Sequence, residues 1–217
     1  MAALDLDEQE QLAQAKALWQ RYGNLALTAL TLVFLTIAGY NGWGYYQRTQ
    51  AVAAAQVFEG LQKLATGGDA KKVAEASKAL ADQHPRTVFA ALGNLIAARV
   101  SFEANELSGA REQLQWVIDK GRDDDLKHLA RVRQAGIMLD LKEYEPALKL
   151  LETVRPAQFE ALYADRRGDV LYAMGKVPEA RTAWEAALAK AGAANTLKAA
   201  LEFKLDMVGA APPPTKS

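Results

Sequence analysis

The sequence predicts an all-α protein: a single N-terminal transmembrane helix, then an α-solenoid of stacked helical hairpins closed by a C-terminal capping helix. Three observations predict it. No charged residue occurs between Arg21 and Arg48, a gap of 26 positions (47 minus 21). Beyond Arg48 the chain is rich in alanine, leucine, glutamate, lysine and arginine, with apolar residues at helical period and no β-alternation. One spacing of small and large residues then recurs three times in register.

Within the uncharged gap, residues 25–46 would form a helix of about 33 Å, enough for a hydrocarbon core of about 30 Å. Leu25, Leu27, Leu30, Leu32, Val33, Phe34, Leu35 and Ile37 together favour insertion by about 2.5 to 5 kcal/mol. Tyr40, Trp43, Tyr45 and Tyr46 follow, and such aromatics suit a membrane interface better than the core of a soluble domain. A cleavable signal peptide fits poorly. Its n-region should be basic, yet Asp5, Asp7, Glu8 and Glu10 come first here, and the apolar run exits into bulky aromatics instead of small residues. The expected layout is therefore a cytoplasmic N-tail over residues 1–24, a span over 25–46, a repeat domain over 47–208 and a disordered tail over 209–217 containing Pro212, Pro213 and Pro214. Lys16 and Arg21 on one side balance Arg48 and Lys63 on the other, so flanking charge does not set the orientation. Gly39, Gly42 and Gly44 lack the spacing and setting of a phosphate loop and are assigned to a bend or to packing of the membrane helix.

After the span, helices are expected near 49–66, 69–83, 86–104, 108–120, 124–141, 145–154, 158–174, 178–191 and 195–208, with glycines and prolines between them. Gly168, Gly175, Ala180, Trp184 and Ala187 lie seven, five, four and three residues apart. The same spacing gives Ala135, Lys142, Ala147, Leu151 and Val154, and before that Ala98, Asn105, Ala110, Leu114 and Val117. The intervals of 33 (180 minus 147) and 37 (147 minus 110) bracket a 34-residue period. This pattern resembles the tetratricopeptide repeat, whose small residues let paired helices approach and whose large residue fills the gap between them. A fourth, degenerate unit precedes the three: Leu80 and Pro85 take its late positions after a helix starting at Asp69, while Val73 and Ser77 stand in place of the expected small and large residues. Leu197, Leu201, Leu205 and Val208 form the apolar stripe of the capping helix that such a stack requires.

The same composition narrows the chemistry. With 26 basic and 26 acidic side chains the formal net charge is zero, which removes the general attraction behind nucleic-acid binding. No cysteine and two histidines leave no thiolate site and little for a histidine-based centre. His84 and His128 have no metal-ligand partner at four-residue spacing, and Asp123, Asp124 and Asp125 read as a helix N-terminus. No catalytic residue, cofactor site or metal site is expected. A repeat stack instead presents a concave groove made by the first helix of each hairpin. Counted from the small residues, its lining would be Leu95, Arg99 and Phe102, then Val132, Leu139 and Asp140, then Asp165, Asp169 and Tyr172. The leucines compete with a core assignment. Repeat grooves that grip a terminal carboxylate use lysine and asparagine where this chain has Leu95, Arg99, Val132, Asp165 and Asp169, so a mixed apolar and acidic groove for a polypeptide partner is expected. The basic clusters at Lys127, Arg131 and Arg133 and at Arg166 and Arg167 read as solvated helix faces.

An N-tail reading EQEQLAQAKALWQRYGN, a span ending GYNGWGYYQ, the repeats and a closing ALEFKLDMVG resemble the ancillary subunit of the bacterial SecYEG translocon, the YfgM family. Leu12, Lys16, Trp19, Tyr22, Gly23 and Asn24 carry much of that resemblance, with the leucine-rich last helix. The resemblance implies a type II inner-membrane protein with its repeats in the periplasm. It implies as partners the SecYEG translocon, the membrane-anchored periplasmic chaperone PpiD, exported polypeptides and the lipid bilayer, and a role in passing newly exported proteins to chaperones. It brings no catalytic motif. A repeat scaffold for another envelope complex, such as cell-division or cell-wall assembly, would use the same anchor and is the alternative reading.

Overall fold

The computed structural model describes residues 6–192 and 196–209. Apart from Gly209, the expected disordered tail lies outside them. The elements are α1 (Leu6–Thr66), α2 (Ala70–Gln83), α3 (Val88–Glu103), α4 (Leu107–Lys120), α5 (Asp124–Asp140), α6 (Tyr144–Leu150), a 3-10 turn (Ala157–Phe159), α7 (Glu160–Ala173), α8 (Val177–Lys190) and α9 (Thr196–Gly209). Among the described residues there is no strand. The chain divides into two units, Met1–Gln50 and Ala51–Ser217.

The first unit is helical through Gly39, Gly42 and Gly44 without a break, so none of them bends the backbone out of the helix. Leu25, Leu27, Leu30, Leu32, Val33, Phe34, Leu35 and Ile37 are exposed, and α1 is long and apolar enough to cross a membrane. The hydroxyls of Thr28, Thr31 and Thr36 each donate to the carbonyl four residues back, at 2.8 Å. These side chains therefore bring no unsatisfied polar group to an apolar medium. Trp43 and Tyr46 pair at 5.9 Å near the end of the apolar run.

The second unit is a stack of helical hairpins. Ala54 and Leu61 of α1 pack with Val73 and Leu80 of α2 and with Ala97 and Val100 of α3. The next layer joins Ala91, Leu95 and Ala98 to Leu114, Val117 and Ile137. A third joins Val132, Ala135 and Met138 to Ala147, Leu151, Tyr163 and Val170, and the last closes Leu171, Ala180, Trp184 and Ala187 under Leu201 of α9. The repeat alanines Ala98, Ala110, Ala135, Ala147, Ala180 and Ala187 all lie in these layers. Asp69 and Asp123 cap α2 and α5 by accepting from the amides of Lys72 (3.1 Å) and Leu126 (2.9 Å), which settles the aspartate run as a capping device.

The turn position of each repeat is left-handed: φ is 61° at Asn105, 60° at Lys142 and 77° at Gly175. At all three, the turn amide donates to the carbonyl three residues back (Phe102, Leu139, Tyr172), each at 2.9 Å. The next amide donates five residues back, from Glu106 to Ser101, Glu143 to Met138 and Lys176 to Leu171, at 2.8, 2.8 and 3.0 Å. These are Schellman motifs in repeat register. Gly68, also left-handed at 69°, stands 37 residues (105 minus 68) before Asn105 and marks the same joint in the degenerate first unit.

One helix departs from expectation. The helix expected to reach residue 154 ends at Leu150, and Val154 is 93% exposed instead of filling an inter-repeat gap. Thr153 turns its hydroxyl back to the Leu150 carbonyl at 3.1 Å. Pro156 disfavours helical geometry at Arg155. The last repeat position of that unit is thereby lost from the core.

Candidate partner-binding groove

The first helices of three successive hairpins, α3, α5 and α7, line a concavity of about 310 Å³. Of the nine residues expected in the groove, Arg99, Phe102 and Asp140 meet there, with Arg133, Gly136 and Arg166 between them. Ala98, Leu114 and Ile137 complete its lining. Phe102 is 44% exposed and is its most accessible apolar surface.

The other six lie elsewhere. Leu95 and Val132 are buried in the inter-repeat layers. Leu139 is half-buried against the third layer. Tyr172 is 41% exposed and leans on Trp184 at 5.6 Å. Asp165 and Asp169 both bind Lys204 of α9, at 2.6 and 2.5 Å. Asp169 also accepts from the Trp184 indole at 3.2 Å and pairs with Arg166 at 3.4 Å. Burial raises the Asp165 pKa above the ordinary aspartate value, against the opposing pull of Lys204. The acids of α7 thus serve the closing helix. Among the described residues no group of three or more histidine, aspartate or glutamate side chains is placed to hold a metal.

The open concavity is therefore basic, with Arg99, Arg133 and Arg166 against Asp140. Arg133 reaches solvent, yet partial desolvation, followed by the like charge of Arg99, lowers its pKa. Two of the three arginines are residues assigned from sequence to solvated faces. A signal for them existed: Arg133 and Arg166 each stand two residues before the small residue of their repeat, Ala135 and Gly168. Gly136 had no such signal. A Cβ there would lie 3.2 Å from the Arg166 guanidinium carbon, so glycine leaves the room that Arg166 occupies.

Residues 16–210 match the family model described as a tetratricopeptide repeat-like domain. An ancillary SecYEG translocon subunit from Neisseria gonorrhoeae (strain ATCC 700825 / FA 1090) is 32% identical over 94% of this chain and 98% of its own length. The chain belongs to the ancillary SecYEG translocon subunit family. Its Escherichia coli (strain K12) member is 26% identical over 92% of this chain and 96% of its own. The member from Aggregatibacter actinomycetemcomitans is 24% identical over 88% and 93%. No solved structure matches the chain. Membership in this family, together with an N-terminal helix of spanning length, marks a membrane-anchored protein. The names of these relatives state no reaction.

Proposed function

We propose that this chain is a non-enzymatic adaptor anchored beside the SecYEG translocon, where it helps pass newly exported proteins to periplasmic chaperones. The span over residues 25–46 holds a short tail over residues 1–24 in the cytoplasm. The repeat domain, residues 47–208, stands in the periplasm as the exported part of a type II protein. The observation that carries this reading is an accessible groove on a hairpin stack, in a chain whose relatives are named as translocon subunits. PpiD and exported polypeptides are its expected partners.

A photo-crosslinker placed at Tyr172 in native membranes tests it. Tyr172 is accessible yet outside the arginine concavity. Adducts with translocon subunits or PpiD are expected. Capture of cell-division or cell-wall proteins with neither of those would replace this reading by the scaffold alternative. Protease added to spheroplasts should remove the repeat domain, and full protection would place it in the cytoplasm.

A further inference from the structure

Arg133 forms no ion pair among the described residues and shares the concavity with a second guanidinium, Arg99. Arg99 itself has only a long 3.6 Å contact with an exposed Glu103. Arg166 has its Nε buried without a hydrogen-bond partner, and its one ion pair, with Asp169, is stretched to 3.4 Å. Three cations thus converge on a concavity with one carboxylate, Asp140, in its lining. Like charges in such proximity are unfavourable unless an anion arrives. Gly136 points the same way. A glycine inside a helix costs about 0.5 to 1 kcal/mol relative to alanine. Here it leaves open the space into which the Arg166 guanidinium reaches.

We propose that this concavity binds an aspartate or glutamate carboxylate within an apolar, acidic polypeptide segment, and that an apolar neighbour on the segment rests on Phe102. The volume, about 310 Å³, suits a carboxylate side chain and its neighbour. Arginine presents planar, paired donors to a carboxylate, and partial enclosure strengthens such a bond relative to open solvent. The inference deepens the adaptor reading, since it states the chemistry of the polypeptide that the groove receives.

The test is fluorescence anisotropy on the full chain in lipid nanodiscs. The probe is a labelled, C-terminally amidated peptide alternating leucine and glutamate, compared with the same peptide carrying glutamine for glutamate. The glutamate peptide should bind about tenfold tighter or more, a preference that shrinks as salt is raised. Arg133→Gln should remove most of that preference with melting unchanged, and Arg133→Lys should recover part of it. Equal binding of the two peptides, or an unaltered preference in a folded Arg133→Gln variant, overturns the proposal. Tighter binding only after a free carboxyl terminus is restored to the peptide overturns it as well, in favour of terminal recognition. The two readings fail separately. Translocon adducts from Tyr172 without a glutamate preference would sink the groove chemistry alone. A glutamate preference without such adducts would sink the adaptor reading alone.

Discussion

Gly168 and Trp184 are two halves of one contact. A Cβ on Gly168 would overlap the Trp184 indole, which is 1% exposed and is the largest fully buried side chain among the described residues. Gly168→Ala should therefore cost about 1 to 3 kcal/mol, and Trp184→Ala about 3 to 5. With the indole removed, the added methyl meets no ring, so Gly168→Ala on the Trp184→Ala background should cost close to nothing; chemical denaturation of the four proteins measures that coupling. A second residue-scale effect sits at His128. It is buried, its Nδ1 lies 2.9 Å from the Tyr163 hydroxyl, and Phe159 and Arg155 flank the pair. Burial, then the charge of Arg131, lowers its pKa below 6.5, while Asp124 and Asp125 oppose them. The unfolded chain then binds the proton that the fold refuses. Stability from this site is complete above about pH 6.5 and falls below it, by at most about 1.4 kcal/mol per pH unit. Melting followed from pH 7.5 to 5.5 should show that slope, and His128→Gln should flatten it. Asp165, whose pKa is raised, works the other way and at lower pH: it loses stability as pH rises through the carboxylate range.

At the scale of elements, the hairpin joints repeat a backbone conformation and not a residue type. Glycine meets the left-handed turn at Gly175, asparagine tolerates it at Asn105, and Lys142 adopts it against preference. Lys142→Gly should stabilise by about 0.5 to 1 kcal/mol, because relief of the Cβ penalty outweighs the added unfolded-state entropy. Asn105→Gly should gain less, since asparagine tolerates the left-handed region. Thermal melts of both variants check the order. These joints also show what sequence could and could not carry. Small residues at helical spacing are legible because close packing admits nothing larger, and so the hairpin order and Ala98, Ala135 and Gly168 were readable one by one. The truncation of α6 was harder, since the apolar period continues through Leu151 and Val154 while Thr153 and Pro156 end the helix locally. The groove was legible only in part. Arg99, Phe102 and Asp140 follow from register, but whether an arginine lies along solvent or into a concavity depends on what the neighbouring helix leaves open. At Arg166 that is decided by a missing Cβ on Gly136.

Over the whole repeat unit, each layer contacts only its neighbours, so the last hairpin depends on its cap. Leu201 fills the space over Trp184 and Ala187, and Lys204 satisfies Asp165 and Asp169 while lying 5.7 Å from the Trp184 ring centre. The two carboxylates are 14% and 16% exposed, partly shielded but not dry. Lys204→Ala should cost about 1 to 3 kcal/mol, less than for a fully buried pair. Denaturant melting measures it, and Lys204→Arg should retain part of the stability.

The same lysine has a reach beyond its own layer. By holding Asp165 and Asp169, it withdraws two negative charges from the inner helices. With them withdrawn, the accessible side chains number three arginines to one aspartate; released, the count becomes three to three. The final helix thus fixes the sign of the field along the inner face without touching the ligand concavity. Replacing Lys204 alone would leave the lining of the concavity unchanged and still weaken its preference for an anion. In this molecule the selectivity of the groove is written partly in the element that seals the end of the stack.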